Sequence, residues 1–393
     1  MANSHPESFS GSYYRQEFPE PLYVGRPNIG DRELFLKRIN QMLDRRWFSN
    51  DGPLVREFEA AVADYAGVKH CIALCNATVG LEIAVRALNL AGEVILPSYT
   101  FIATAHALKW LGLGPVFADI DLRTHNIDPK KVEKLITPRT SAIIGVHVWG
   151  RPCDTDALED IGYKYGLKIM YDAAHAFGSS RKGIMVGNFG ECEVYSFHAT
   201  KFLNSFEGGA VVTNNDELAE KIRLMRNFGF SGFDNVVSIG INGKMNEACA
   251  AMGLTSLESI EDLIAINRRN HEAYREGLVK IPGIKLLEQR DEGERHNYQY
   301  VVIEVNERCY GKTRDELLEL LHNQNVIARK YFWPGCHRMQ PYAAENPNAY
   351  KGLPETELVA ARVLVLPTGQ TVDRDMISRI CSIISGEFRG QAA

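Results

Sequence analysis

Two charged side chains lie where an enzyme could use them. Asp172 in YDAAHAFG and Lys201 in SFHATKFLNSFEGGA each follow an apolar run that predicts a strand. Open α/β sheets bind ligands at the carboxyl ends of their strands. A buried lysine shifts its pKa readily and can act as a nucleophile towards carbonyl compounds. The alternatives are a helix cap or structural ion pair for Asp172, and a solvated surface position for Lys201.

A run of small residues at positions 76–80 (NATVG) precedes a helical pattern that starts at Leu81. Free backbone N–H groups at a helix start, together with the helix dipole, favour an anion. An ordinary N-cap at Thr78 is the alternative. The three features together meet the needs of pyridoxal phosphate, which requires an anion site, an anionic partner for its ring nitrogen and a lysine for its aldehyde. The residues therefore predict a pyridoxal phosphate site.

The elements that must position these residues alternate along the chain. Alternating strands and helices predict βαβ units, and so an α/β fold with a mostly parallel buried sheet. The predicted strands are 93–97, 115–120, 141–150, 168–174, 193–197 and 208–214. The predicted helices are 54–66 and 81–90 before the first strand, and 104–111 and 156–166 between strands. Helical segments 216–227 and 245–279 follow, and then strands 298–305 and 363–367 with helices 313–324 and 373–384.

This pattern divides the chain into three parts. We expect a flexible segment over residues 1–21, a large cofactor-binding α/β domain over 22–262 and a smaller α+β domain over 263–393.

The composition excludes several classes of protein. Hydrophobic residues make up 45% and charged residues 24% of the 393 residues, as in ordinary globular proteins. The net charge of −5, with no basic block, argues against a nucleic-acid polymer as partner. No apolar run approaches the ~20 residues of a membrane helix, and the first residues lack the apolar core of a signal peptide. The eight cysteines show no metal-binding spacing. We therefore expect a cytoplasmic enzyme with reduced thiols and no metal.

Ordered motifs over roughly residues 20–385 resemble those of the DegT/DnrJ/StrS-type sugar aminotransferases. They include GPLVREFEAAVADYAGV, PSYTFIATAHAL, YDAAHAFG, SFHATK and LPETELVAARVLVLP. The resemblance implies the aspartate-aminotransferase fold (fold type I), pyridoxal phosphate as cofactor and transamination as reaction. It implies that Lys201 binds the cofactor aldehyde and moves the proton, and that Asp172 meets the ring nitrogen. The other implied cofactor contacts are Phe101 on the ring face, His175 at the ring oxygen O3′, Ser196 with the Ala77–Thr78 backbone at the phosphate, and Asn242 supplied by a partner subunit. A homodimer with shared active sites is thus implied.

The segment YFWPGCHRMQPY (331–342), with PTGQ (367–370), suggests a substrate. It resembles enzymes that aminate C4 of dTDP-4-keto-6-deoxy-D-glucose, with L-glutamate as donor, to give dTDP-4-amino-4,6-dideoxy-D-glucose. Tyr331 and His337 are the candidate sugar contacts, and an aromatic core segment is the alternative. A C3-aminotransferase for a dTDP-3-keto-6-deoxyhexose is the nearest other function. A non-catalytic regulatory protein that binds pyridoxal phosphate is the alternative from another class.

Overall fold

The structure, a computed structural model, describes residues 16–288 and 293–387. Its strands are β1 (Leu22–Tyr23), β2 (His70–Leu74), β3 (Glu93–Pro97), β4 (Gly114–Ala118), β5 (Thr140–Val146), β6 (Lys168–Asp172), β7 (Ser180–Arg181), β8 (Ile184–Met185), β9 (Glu193–Ser196), β10 (Gly209–Thr213), β11 (Ile284–Leu286), β12 (Val301–Val305), β13 (Val326–Ile327) and β14 (Val363–Leu366). Its α-helices are α1 (Arg32–Arg45), α2 (Pro53–Ala66), α3 (Ala77–Ala87), α4 (Ala103–Trp110), α5 (Pro129–Val132), α6 (Thr155–Tyr165), α7 (Asp216–Arg226), α8 (Glu247–Glu258), α9 (Ile260–Leu278), α10 (Glu307–Tyr310), α11 (Arg314–Asn323), α12 (Tyr342–Glu345), α13 (Pro354–Arg362) and α14 (Arg374–Ser385).

A seven-stranded mixed sheet forms the centre, in the order β2-β10-β9-β6-β5-β3-β4. Strand β10 is antiparallel to β2 and β9, whereas the other neighbours are parallel. One buried cluster, with Phe58 and Leu254, covers one face, and another, with Leu81 and Leu108, covers the other. Burial on both faces explains why these strands are apolar runs in the sequence. The predicted α/β class, with a mostly parallel mixed sheet flanked by helices, is confirmed.

The C-terminal part has its own antiparallel sheet, in the order β11-β12-β14. Helices α9, α11 and α14 pack on it through a cluster that includes Tyr274, Leu317 and Ile380. Strand β1 pairs in parallel with β13, with Leu22 opposite Val326. The predicted α+β arrangement of this region is therefore present.

The predicted limits of the three parts stay a prediction, and the boundary at 262 falls inside α9. Residues 1–15 of the predicted flexible segment lie outside the described residues, while Phe18 within its described part is buried. Positions 289–292 and 388–393 of the predicted small domain also lie outside them.

Several elements differ from the predicted ones. The helical segment 245–279 is two helices that meet at Ser259. The strand predicted over 141–150 ends at Val146, and a 3₁₀ turn with Trp149 at φ 63° follows. Helices α1 and α13 and strand β2 were not among the predicted elements. No α-helix in the described ranges is long and apolar enough to cross a membrane.

A buried carboxylate joins the central sheet to α13. Asp119 follows β4 and is 1% exposed. Its Oδ1 accepts hydrogen bonds from the Thr356 N–H at 2.8 Å and from the Thr356 hydroxyl at 2.7 Å. Its Oδ2 accepts from Lys131 Nζ at 3.0 Å and from the Glu355 N–H at 3.1 Å. Asp119 thus satisfies N–H groups of the first turn of α13, which have no acceptor within that helix.

Candidate active site

The sheet brings Asp172 and Lys201 together. Strands β6 and β9 are parallel neighbours, with Asp172 opposite Val194. Strand β6 ends at Asp172, and Lys201 lies in the loop that follows β9. The carboxyl ends of parallel neighbours share one edge of a sheet, so both charged groups lie at that edge. They are close enough for each charge to act on the pKa of the other.

Asp172 is buried and hydrogen-bonded on both oxygens. Its Oδ1 accepts from the Ala174 N–H at 3.1 Å, and its Oδ2 accepts from the Thr104 hydroxyl at 2.8 Å. Burial raises the pKa of Asp172, while these hydrogen bonds and the charge of Lys201 oppose that rise. A turn follows β6, so Asp172 does not cap an α-helix. In its ionised form a buried carboxylate is suited to hold a proton on a ligand nitrogen.

Lys201 is not a solvated surface lysine. Burial lowers its pKa to about 8, although the Asp172 carboxylate acts in the opposite direction. Its Nζ donates to the Tyr300 hydroxyl at 3.4 Å. The ring of Tyr300 is itself buried, just before β12 in the C-terminal part. An amine with this pKa is partly unprotonated near neutral pH and can act as a nucleophile or a base.

His175 presents a buried nitrogen without a partner. Its Nδ1 has no hydrogen-bond partner among the residues that the structure describes. Burial and the Lys201 charge hold its pKa well below the usual value, so the ring is neutral. The ring stacks on Phe332 with centroids 5.6 Å apart, and Asn297 Nδ2 donates to its carbonyl at 2.7 Å. An unpaired buried nitrogen is costly and is explained if a ligand completes the site.

The start of α3 lies at the same edge of the sheet. Asn76, not Thr78, is the N-cap, because its side chain accepts from the Val79 N–H at 2.9 Å. The helix therefore begins at Ala77, four residues before the predicted start. The N–H groups of Ala77 and Thr78 are the first two of the helix and have no intrahelical acceptor. With the helix dipole they form a site suited to a phosphate.

Ser196 lies near the start of α3, because its strand partner Gly209 packs directly against Ala77. Gly209 pairs with Ser196 in β9 and with Leu74 in β2. A Cβ atom on Gly209 would lie 2.5 Å from the Ala77 nitrogen, so only glycine permits this approach. The structure thus brings the Ser196 end of β9 next to the backbone of Ala77, as the phosphate site requires.

Phe101 and Asn242 are both exposed. Phe101 is 53% exposed and lies two residues before α4, the helix on which Thr104 contacts Asp172. Asn242 forms an isolated bridge with Asn227 and makes no side-chain hydrogen bond within the described residues. The single chain therefore places Phe101 next to the helix whose Thr104 contacts Asp172. The predicted cofactor contact of Asn242 stays a prediction.

The two candidate sugar contacts differ in their surroundings. The Tyr331 ring is half-buried, 6.3 Å from the Tyr300 ring and stacked on Phe332 at 5.3 Å. His337 is 2% exposed, and its Nδ1 and Nε2 lie 2.7 Å from Ser98 Oγ and 2.6 Å from a Glu357 carboxylate oxygen. In this structure both ring nitrogens of His337 contact protein groups, as in the alternative of a buried core segment. The sugar contact of His337 stays a prediction.

The comparisons with known proteins agree with this geometry. A profile of the DegT/DnrJ/EryC1/StrS aminotransferase family matches residues 30–385. The chain belongs to that family. It is 40% identical to a dTDP-4-amino-4,6-dideoxy-D-glucose transaminase of Shigella dysenteriae, over 93% of this chain and 98% of the relative. A transaminase of the same name from Escherichia coli is 35% identical, also over 93% and 98% of the two chains.

A solved structure, DesI in the presence of its TDP-sugar product, superposes with a TM-score of 0.89 at 49% identity and covers 94% of each chain. The protein is therefore an aminotransferase with the fold of type I pyridoxal phosphate enzymes, and aminotransferases of this family depend on that cofactor.

The residues present fit pyridoxal phosphate. The unpaired His175 Nδ1 faces no protein partner in the described chain, and the free N–H groups of Ala77 and Thr78 lack intrahelical acceptors. The buried carboxylate of Asp172 supplies an anionic group, and the amine of Lys201 supplies a nucleophile. Each is a group that one part of the cofactor requires.

Four residues at this aminotransferase site were not predicted from the sequence: Thr104, Asn297, Tyr300 and Phe332. Thr104 and Tyr300 contact Asp172 and Lys201 directly, whereas Asn297 and Phe332 contact His175. Phe332 lies within the aromatic segment 331–342 and could have been selected with Tyr331. Thr104 is the first residue of the predicted helix 104–111, and nothing in the sequence indicated its contact with Asp172.

Proposed function

We propose that this aminotransferase uses pyridoxal phosphate to transfer the amino group of L-glutamate to C4 of dTDP-4-keto-6-deoxy-D-glucose. The product is dTDP-4-amino-4,6-dideoxy-D-glucose. The observation that carries the chemistry is the buried Lys201 amine, with a pKa of about 8, beside the buried Asp172 carboxylate. The sugar assignment is supported by the names of the two bacterial relatives and by the TDP-sugar product in the DesI structure.

Different residues hold the separate parts of the cofactor. Asp172 would keep a proton on the ring nitrogen, and the neutral His175 would hydrogen-bond the ring oxygen O3′ through its unpaired Nδ1. Ser196 and the Ala77–Thr78 backbone would hold the phosphate, where the helix dipole favours negative charge. Phe101 would cover one face of the ring. When bound, pyridoxal phosphate supplies the aldehyde that carries the amino group and a ring that accepts electrons from the reacting carbon.

Lys201 moves the proton at the reacting carbon. Because burial lowers its pKa to about 8, about a tenth of the amine is unprotonated at pH 7 and can accept the proton of the donor α-carbon. The hydroxyl of Tyr300, 3.4 Å from Nζ, restricts the directions in which the amine can turn. The same amine returns a proton when the sugar receives nitrogen. Tyr331, close to Tyr300, is the residue we assign to the sugar.

The active enzyme is a homodimer in which Asn242 of the partner subunit reaches the cofactor phosphate. In support, the segment that leads to Asn242 exposes large apolar side chains to solvent in the single chain. Phe233 is 97% and Ile239 is 74% exposed. Contiguous exposed apolar side chains are uncommon on monomeric proteins and are typical of interfaces.

One experiment tests the reaction and the position of the new amine. The protein is incubated with pyridoxal phosphate, ¹⁵N-labelled L-glutamate and either the dTDP-4-keto or the dTDP-3-keto sugar, and NMR locates the labelled nitrogen. We expect nitrogen at C4 of the first sugar. Efficient amination of the dTDP-3-keto sugar alone would contradict the C4 assignment and favour the C3-aminotransferase.

A matched pair of lysine variants tests the role of the site. Lys201→Ala is expected to reduce the rate by about 10⁴-fold or more, because both covalent and acid–base functions are lost. Lys168→Ala, at the opposite and exposed end of β6, is the control and should retain activity.

A yellow absorbance band that L-glutamate does not bleach would instead favour the non-catalytic regulatory protein.

A further inference from the structure

Thr104 lies at the centre of a small hydrogen-bond network behind Asp172. Its side chain is completely buried on α4. The hydroxyl oxygen lies 2.8 Å from Asp172 Oδ2, 3.2 Å from the Phe101 carbonyl oxygen and 3.1 Å from the Thr100 hydroxyl oxygen. One hydroxyl group thus contacts the carboxylate and the backbone of Phe101, the two residues assigned to the ring nitrogen and the ring face.

The proton of Thr104 has one favourable destination. A hydroxyl has a single proton, and a charged acceptor forms the stronger and shorter hydrogen bond. The proton therefore points to Asp172 when that carboxyl group is ionised. The Thr100 hydroxyl then donates to the lone pair of Thr104 at 3.1 Å. If Asp172 were protonated, the Thr104 hydroxyl could turn to the Phe101 carbonyl, 3.2 Å away.

No other side chain in the described residues hydrogen-bonds the Asp172 carboxylate. Its second oxygen accepts from the backbone of Ala174. The charged or titratable groups that act on it are Lys201, from the loop after β9, and His147, at the end of β5. Neither of them donates a hydrogen bond to it, so the orientation of the carboxylate depends on Thr104 and on one backbone N–H group.

We propose that Thr104 is a positioning residue that keeps Asp172 ionised and oriented towards the ring nitrogen of pyridoxal phosphate. This inference rests on the proposed function, because it takes Asp172 as the partner of the cofactor nitrogen. Loss of the hydroxyl leaves the burial of Asp172 in place and removes one of the groups that oppose it, so the pKa of Asp172 rises further. Cofactor binding needs the ionised form. As the pH is lowered, the affinity of the variant for pyridoxal phosphate must therefore begin to decline at a higher pH than that of the wild type.

The test measures cofactor affinity as a function of pH on cofactor-free protein. Trp149 is buried and stacks on His175 with centroids 6.4 Å apart, so its fluorescence reports binding at the site. The variants are Thr104→Val, which removes the hydroxyl with little change of shape, and Thr104→Ser, which keeps it. Thr100→Val is the matched control, since it removes only the second hydroxyl. Thr104→Ala replaces the valine variant if thermal melting shows that the latter does not fold.

We expect Thr104→Val to weaken binding by about 10- to 100-fold at neutral pH, as for the loss of a hydrogen bond to a charged group. As the pH is lowered, its affinity should also begin to decline at a higher pH than that of the wild type. Thr104→Ser should restore the wild-type pH profile, and Thr100→Val should lose less than Thr104→Val. A Thr104→Val protein with wild-type affinity and pH profile would overturn this inference and leave the proposed function intact. A wild-type protein that does not bind pyridoxal phosphate would overturn both.

Discussion

The backbone of Gly209 lies directly against the backbone of Ala77. A Cβ atom added to Gly209 would approach the Ala77 nitrogen to 2.5 Å and the Asn76 carbonyl carbon to 2.7 Å. These are backbone atoms, which cannot move aside as a flexible side chain can. The relationship fixes the distance between β10 and the start of α3, and so the position of the proposed phosphate site relative to Ser196.

Gly209→Ala should therefore weaken cofactor binding. The added methyl group displaces the start of α3, and overpacking of this kind costs about 1–3 kcal/mol. We expect a dissociation constant for pyridoxal phosphate that is about 10-fold or more above the wild-type value. Equilibrium dialysis of the cofactor-free protein measures it. Gly352→Ala is the control, because no atom lies within 4 Å of its added Cβ; equal affinities for the two variants would show that the contact does not position the site.

The pKa of Lys201 predicts how fast the cofactor-free protein captures pyridoxal phosphate. Burial lowers this pKa to about 8, and only the neutral amine attacks the aldehyde. The capture rate should rise with pH and level off above pH 8. The cofactor itself also titrates in this range, so its reaction with free lysine is measured as a reference. In Asp172→Asn the charge that raises the Lys201 pKa is lost, so the midpoint should move to lower pH. Stopped-flow absorbance measures both profiles; a midpoint near pH 10 would show a solvated amine.

Sharing of active sites between subunits predicts complementation. Lys201→Ala lacks the reacting amine, and Asn242→Asp places a negative charge towards the cofactor phosphate of the other subunit. Each homodimer should have little activity. A mixed dimer has one site with both defects and one site with neither, so mixing should restore activity that neither variant shows alone. Asn235→Asp, on the same exposed segment, is the control for the added charge, and its homodimer should keep its activity. Differential tags verify that mixed dimers have formed. If such dimers regain no activity, the result argues against shared sites.

Asp119 predicts a specific loss of stability in acid. Burial raises its pKa, but hydrogen bonds from Glu355, Thr356 and Lys131 outweigh this effect and hold it at about 2. A carboxyl group with a folded-state pKa below the unfolded value stabilises the protein above about pH 4, and this contribution disappears as the pH falls to about 2. Asp119→Asn should lower the free energy of unfolding by about 2 kcal/mol at pH 7. Urea denaturation should show the difference at pH 7 and a much smaller one near pH 2.

The control for this prediction is Asp216→Asn, whose carboxylate pairs with Lys69 at the surface. Exposed ion pairs contribute little to stability. An Asp119→Asn protein that is as stable as the Asp216→Asn variant at pH 7 would refute the role of Asp119 at the start of α13.

The residues at the ends of strands were predictable, because a strand pattern marks where a parallel sheet presents its ligand-binding edge. Asp172 and Lys201 follow such patterns, and the register of β6 and β9 brings them together. The N-cap at Asn76 was harder to predict. Asn and Thr are both good caps, and only the backbone geometry shows that the side chain of Asn76 accepts from Val79.

The contacts that join distant segments were not predictable. Nothing in the sequence shows that Glu357, on the unpredicted α13, lies next to Nε2 of His337. Thr104 lies in the predicted helix 104–111 and Tyr300 in the predicted strand 298–305. Their contacts with Asp172 and Lys201 depend on how those elements pack. Periodicity identifies the buried face of an element, whereas it does not identify the residue opposite.

The central claim is that Lys201, beside Asp172, is the residue that binds pyridoxal phosphate. Borohydride reduction of the protein with its cofactor, followed by peptide mass spectrometry, tests it most directly. We predict that the pyridoxyl mass lies on the peptide that contains Lys201, and that L-glutamate added before reduction removes it. The same mass on a different lysine, or none at all, would contradict the account.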